Sequence, residues 1–373
     1  MATKVSSDAG DERWMRLALA LAERALGLTA PNPAVGCVIV KDGRVLGRGA
    51  TARGGRPHAE TIALLEAGPG AAGAQVYVTL EPCAHHGHTP PCAEALIAAG
   101  VARVMVAVRD PDARVSGRGI AMLEAAGIEV VVGLGEREAR SLNAGYFKRV
   151  AQGLPLVTLK LATSLDGRIA THTGASRWIT GEPARACVHL MRAAHDALMV
   201  GSNTVLHDDP DLTCRLAGLE DRSPLRIIAD GRLRVPLTAR VIRDASTVAT
   251  WVVTRNDADP ARCRALESCG VTLIPVAPGA EGSVDMTDAL RALAGRGVMR
   301  LMVEGGAHVA GALLRAGLVD QLAWFRGAVV IGGDGTPVLT ALGIDRPDQA
   351  PRWRHVTHRL FGDDVLDIYE AAP

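Results

Sequence analysis

His58, Glu60, Cys83 and Cys92 are the residue types of a catalytic zinc centre, spread over one short stretch of the chain. One imidazole and two thiolates satisfy three corners of a tetrahedral zinc and leave the fourth for water, whose pKa the metal brings toward neutrality. Glu60, two residues after His58, is placed to face such a metal without binding it and to carry protons. A closed structural zinc site takes four protein ligands and has no use for the carboxylate. His-x-Glu alone is a weak signal, because a lone pair of this kind commonly sits on a solvated helix face. Pro82-Cys83 and Pro91-Cys92 downstream make it strong.

This order resembles that of the zinc-dependent deaminases, in which hydroxide attacks an amidine-type carbon while the glutamate protonates a ring nitrogen and then the departing amine. The two Cys are not in Cys-x-x-Cys spacing. The loop between them carries His85, His86 and His88, which are either further ligands or, on the simpler reading, solvent-facing or substrate-contacting residues, since His58 already completes the set.

These residues need a scaffold that brings helix starts and strand ends to one point. Trp14, Leu17, Ala18, Leu21 and Leu26 recur at helical spacing and predict a first helix. Ala34 to Val40 and Arg44 to Ala50 read as a hairpin around Asp42-Gly43. A helix beginning at His58, a strand at 75–79 ending before Pro82-Cys83, and a helix beginning near Cys92 converge as a site at the carboxyl edge of a sheet requires. Strands at 104–108 and 129–132, with helices at 119–126 and 136–150, complete a three-layer α/β domain. Asn32, between two prolines, either orients a heterocycle beside the metal or caps a turn. Gly133-Leu134-Gly135 lacks the third glycine of a dinucleotide fingerprint and reads as an ordinary strand-to-helix turn.

Length favours two domains, 1–152 and 153–373, with Gly153 and Pro155 punctuating the boundary. The second half alternates strands at 156–162, 197–200, 225–229, 248–253, 271–275, 299–303, 321–325, 353–359 and 365–369 with helices at 182–194, 261–268, 285–294 and through Ala316. Residues 201–210 read as a polar connection of the kind that carries function. Lys160, alone in an apolar strand, reads as an edge residue or as a group near a phosphate or carbonyl. Glu304-Gly305-Gly306, a strand end opening a helix, offers bare amides to a pyrophosphate, although such turns also occur with no ligand.

Lys plus Arg (41) nearly cancel Asp plus Glu (40), and aromatics are 3% of the chain, so neither the charge nor the stacking platforms of a nucleic-acid binder are present. The seven Cys form no disulfide framework. The N-terminal residues carry no signal-peptide pattern, and no apolar run is long enough to cross a bilayer. A soluble, cytoplasmic enzyme acting on a small molecule is the expectation, with no nucleic-acid or membrane partner.

The chain as a whole resembles the bifunctional riboflavin biosynthesis deaminase-reductases. The likeness rests on Pro31-Asn32-Pro33-Ala34-Val35-Gly36, His58-Ala59-Glu60, Thr79-Leu80-Glu81-Pro82-Cys83-Ala84-His85 and Thr89-Pro90-Pro91-Cys92. In the second half it rests on Lys160-Leu161, Ser164-Leu165-Asp166-Gly167, Trp178-Ile179-Thr180, Asp208-Asp209-Pro210, Leu212-Thr213 and Glu304-Gly305-Gly306. It implies a cytidine-deaminase-like αβα domain followed by a domain similar to dihydrofolate reductase. It further implies hydrolytic deamination of 2,5-diamino-6-(5-phosphoribosylamino)pyrimidin-4(3H)-one, then reduction of the ribosyl side chain to ribityl with NADPH. By the same resemblance zinc falls to His58, Cys83 and Cys92, with Glu60 as proton donor. The reductase substrate falls to Ser176, Arg192, Leu212, Arg215 and Glu304, with Arg192 and Arg215 forking onto the sugar phosphate. NADPH falls to Ala162, Trp178, Thr204, Asp208 and the turn starting at Gly306. A homo-oligomer is expected. Trp324 to Ala328 departs from the family's Ala-Pro step and leaves local loop shape open. The rival readings are a single-activity zinc nucleobase or nucleotide deaminase with a non-catalytic second domain, a base-flipping nucleic-acid deaminase, and a zinc-stabilised binding module.

Overall fold

The computed structural model describes residues 9–86 and 90–372, and the chain divides into two compact units meeting at Gly153 and Leu154. In the first unit, α1 (Ala9–Ala25) precedes the hairpin β1 (Gly36–Lys41) and β2 (Arg44–Ala50). Then come α2 (Ala59–Ala67), β3 (Gln75–Val78), α3 (Cys92–Ala98), β4 (Arg103–Val106), α4 (Arg118–Ala125), β5 (Glu129–Val132), α5 (Glu136–Leu142) and α6 (Ala144–Gln152). The sheet order is β2-β1-β3-β4-β5, antiparallel at β2-β1-β3 and parallel from β3 to β5. Val38, Ile39, Val76, Val78, Val104 and Val106 are buried in its core, as expected of strands covered on both faces.

Two small residues of β2 set the position of α2. A Cβ on Gly49 would lie 2.2 Å from the Ala59 carbonyl oxygen, and one on Gly47 would lie 2.1 Å from that of Ala63. Only glycine lets the helix rest directly on the strand, and the start of that helix carries His58 and Glu60.

The single closing helix expected over 136–150 is two helices, broken at Asn143. The reason is tertiary. Asn143 is buried, its side-chain oxygen accepts from the Ala34 N–H at 3.0 Å, and its amide donates to the Ala34 carbonyl at 2.8 Å. The residue satisfies a loop a hundred positions away at the expense of helical continuity.

In the second unit the elements are β6 (Leu156–Thr163), β7 (Arg168–Ala170), α7 (Glu182–Ala193), β8 (Ala197–Gly201), α8 (Ser202–Asp208), β9 (Leu225–Ala229), α9 (Arg240–Arg243) and β10 (Thr250–Arg255). They continue with α10 (Pro260–Glu267), β11 (Thr272–Val276), α11 (Met286–Gly295), β12 (Arg300–Glu304), α12 (Ala307–Arg315), β13 (Gln321–Arg326), β14 (Thr336–Pro337), β15 (Trp353–Phe361) and β16 (Asp364–Ala371). One nine-stranded sheet runs β11-β10-β9-β8-β12-β6-β13-β16-β15, parallel up to β13 and antiparallel for the last two strands. Successive core residues alternate between its faces: Met199, Leu301 and Val303 pack on one side, Leu198, Val200 and Met302 on the other.

Two expectations change here. The stretch after Val200 is not an irregular connection, because Ser202–Asp208 is helical. Lys160 is not at an edge, since β6 lies between β12 and β13.

Candidate active sites

In the first unit the side chains that could hold a metal come from two helix starts and one strand end. His58 is the N-cap of α2, one position before the helix proper, while Glu60 lies in its first turn. Cys92 is the first residue of α3 and Cys83 follows β3. His58 Nδ1 lies 3.3 Å from Cys92 Sγ and 3.6 Å from Cys83 Sγ. Zinc-to-ligand bonds of ordinary length at a tetrahedral angle separate nitrogen and sulfur by about 3.6 Å, so the donor set fits a zinc ion.

The electrostatics point the same way. Cys83 is held down to about 4, first by its hydrogen bond with the Cys92 thiol, then, against the effect of burial, by His58 and the Cys92 N–H, which lies 3.3 Å from its sulfur. Cys92 is driven up by Cys83 and by burial. One sulfur ionises at the expense of the other, a conflict that a divalent cation between them removes. Glu60 is 3% exposed. Burial, opposed by His58, pushes its carboxyl up to about 7, and it reaches the Cys92 thiol.

Glu81 holds the surroundings together. It is buried, and its two oxygens accept from the backbone N–H groups of Asp110, Gly117, Gly119 and Ile120 at 3.0–3.3 Å. The loop before α4 is thereby tied to the residue two before Cys83. Of the loop histidines, His86 pairs with Glu94 at 3.4 Å, and His88 lies outside the described residues. Asn32 donates to the Gly55 carbonyl at 2.9 Å, so it staples the turn that leads to His58.

The second cluster lies where β6, β12 and α7 meet. Glu304 ends β12 and faces its register partner Lys160, whose Nζ lies 4.0 Å from Glu304 Oε2. Arg192 of α7 grips the same carboxylate with Nε at 2.6 Å and an Nη at 2.8 Å, and its other Nη donates to the Thr213 carbonyl at 2.9 Å. The fork expected on a sugar phosphate is therefore already engaged by Glu304. Arg215, by contrast, is exposed and paired only loosely with Asp211, at 3.7 Å. Leu212 is buried with φ +56°.

Gly305 and Gly306 turn into α12 with φ +74° and +85°, and a Cβ on Gly305 would lie 3.4 Å from the Thr204 hydroxyl oxygen. Thr204 is thus drawn to the glycine turn, while Ala162 lies near the end of β6. Ser176, Trp178 and Asp208 stand exposed, and the Trp178 ring is covered by the Arg185 guanidinium at 4.2 Å. At the divergent stretch, β13 continues to Arg326 and the Gly327 N–H donates to Thr163 at 2.8 Å.

Residues 8–108 match the family model for the cytidine and deoxycytidylate deaminase zinc-binding region, and residues 155–366 match that for the RibD C-terminal domain. The riboflavin biosynthesis protein RibD of Escherichia coli K12 is 42% identical, with 95% of this chain and 98% of that protein covered. The chain belongs to the RibD family. RibD of Aquifex aeolicus is 41% identical over 96% of this chain and 98% of its own. Among solved structures, RibD of Acinetobacter baumannii superposes with a TM-score of 0.88 at 38% identity, covering 98% of this chain and 99% of that one. A diaminohydroxyphosphoribosylaminopyrimidine deaminase/5-amino-6-(5-phosphoribosylamino)uracil reductase from Thermotoga maritima gives 0.84 at 34% identity, covering 97% and 99%. The RibD architecture of a zinc-binding deaminase domain followed by a reductase domain is therefore that of this chain. Of two residues with structural weight in it, Glu81 had no role expected from the sequence, and Lys160 was expected at an edge or near a phosphate or carbonyl rather than beside Glu304. Glu81 stood in view beside Pro82-Cys83, and Lys160 was the one charge in an apolar strand.

Proposed function

We infer that the chain catalyses two successive steps of riboflavin biosynthesis: hydrolytic deamination of 2,5-diamino-6-(5-phosphoribosylamino)pyrimidin-4(3H)-one in the first unit and NADPH-dependent reduction of the ribosyl side chain in the second. What most supports the first reaction is the convergence of His58, Cys83 and Cys92 beside the buried carboxyl of Glu60. Zinc held by these three residues supplies a Lewis-acidic position for water. A carboxyl poised near neutrality both takes up and gives back a proton. Glu60 would take one proton from the attacking water and deliver it to the ring nitrogen, then take the remaining proton of the new hydroxyl as the carbonyl forms and pass it to the amine, which leaves as ammonia. Glu81 positions: it fixes the loop over Pro82-Cys83 so that the sulfur does not wander.

In the second unit the nicotinamide cofactor supplies the hydride. The Gly305-Gly306 turn presents backbone amides at the start of α12, where a pyrophosphate is stabilised, and the Thr204 hydroxyl lies beside them. Arg192 holds Glu304 ionised and oriented, and Lys160 stands on the same carboxylate. Arg215, with its guanidinium largely free of strong partners, is the better phosphate contact. The 2′-phosphate preference, a homo-oligomer and a cytoplasmic setting belong to this reading. Among the described residues no helix is long and apolar enough to cross a membrane.

The test is a coupled assay on the diaminopyrimidine phosphate that follows ammonia and cofactor absorbance together. Ammonia should appear first, and NADPH oxidation should depend on the deaminated product. Ammonia release without cofactor oxidation under any condition would leave a single-activity deaminase.

A further inference from the structure

The carboxyl-terminal hairpin gathers three potential metal ligands far along the chain from the thiolate centre. In a regular strand, residues three apart point to opposite faces. His355 and His358 nevertheless share a face, because β15 shifts register against β16 between His355 and Thr357, the signature of a bulge. Both imidazoles reach one oxygen of Asp367: His355 Nε2 at 3.0 Å and His358 Nδ1 at 2.9 Å from Oδ1. Arg326 on β13 occupies the other oxygen, Oδ2, at 2.5 Å. The His355 ring is braced edge-on by Tyr369, with centroids 5.2 Å apart.

We propose that His355, His358 and Asp367 form a second metal site, for a divalent cation of borderline softness such as Co2+, Ni2+ or Zn2+. Two imidazoles and a carboxylate are the donor set such ions take. Ligands about 2 Å from a metal at near-right angles stand about 3 Å from one another, the spacing found on both sides of Oδ1. The imidazole side chains are 48% and 51% exposed while Asp367 is 5% exposed. A cation therefore enters from solvent, keeps water on its remaining positions, and rests on a carboxylate fixed from below. Arg326 neutralises the oxygen the metal does not use. Burial works to protonate Asp367, but hydrogen bonds from His358, His355 and Arg326 outweigh it and keep the carboxyl below its ordinary range. Metal binding would replace the proton that each imidazole shares with Oδ1.

The experiment titrates full-length, zinc-loaded protein with Co2+, following heat and the visible and near-ultraviolet spectrum. One further equivalent should bind without a thiolate-to-cobalt charge-transfer band. His355→Ala and His358→Ala, both at exposed positions, should each abolish that equivalent while ammonia release and cofactor oxidation stay at wild-type rates. No further equivalent in the wild type, cobalt appearing with the thiolate band, or equal binding in the wild type and both variants would overturn the proposal.

Discussion

Glu304 receives two arms of the Arg192 guanidinium, at 2.6 and 2.8 Å, while Lys160 stands 4.0 Å from the same carboxylate. Three charged groups are thus packed where β6, β12 and α7 meet. Burial alone would protonate Glu304, yet Arg192 and then Lys160 prevail and hold it down at about 2.

Removing Arg192 leaves that carboxylate buried without its fork. Arg192→Ala should cost about 3–5 kcal/mol, read by urea unfolding through Trp178, Trp251, Trp324 and Trp353, which all lie in this unit. The pH dependence follows from the sign of the shift. Glu304 has a lower pKa folded than unfolded, so its stabilisation is complete above the unfolded value of about 4.3. It fades as pH falls toward 2. The variant should lack most of this acid-dependent loss between those limits.

Glu81→Ala should loosen the loop before α4 and with it Cys83. Zinc affinity should fall about 10–100-fold, the range for residues that orient a metal's ligands, as measured by competition with a chromophoric chelator. Glu81→Gln, which keeps an accepting oxygen, should recover part of the loss. Cofactor oxidation on deaminated substrate should be unaffected by either.

Asn143→Ala removes both hydrogen bonds to Ala34 and leaves a buried N–H and carbonyl unpaired. A loss of about 2–4 kcal/mol is expected, at about 1–2 for each group, seen as a lower first thermal transition with the reductase activity preserved.

What the residues revealed in advance tracks how local the physics is. The convergence of His58, Glu60, Cys83 and Cys92 was legible because their chemistry is written in residue type and short spacing, and the strands at 197–200 and 225–229 because apolar runs mark buried parallel strands. Asn143 was not, since its bonds go to Ala34 and nothing nearby in sequence announces them. Lys160 looked like an edge residue because strand order in a parallel sheet is set by crossovers that local pattern does not encode. The pairing of Arg192 with Glu304 was not legible either, since the two residues stand 112 positions apart and each was assigned by resemblance alone.

Chelating zinc from the native enzyme should stop ammonia release while NADPH oxidation on the deaminated substrate continues, and adding zinc back should restore the first activity. Parallel loss of both would mean that the metal supports more than the first unit.

The most direct measurement is ammonia release by Glu60→Gln, made alongside zinc content per chain. A full complement of zinc, an intact reductase and ammonia release lowered at least about 100-fold, the lower range for a lost general acid-base group, are the expected result. Ammonia release at the wild-type rate with zinc in place would contradict it.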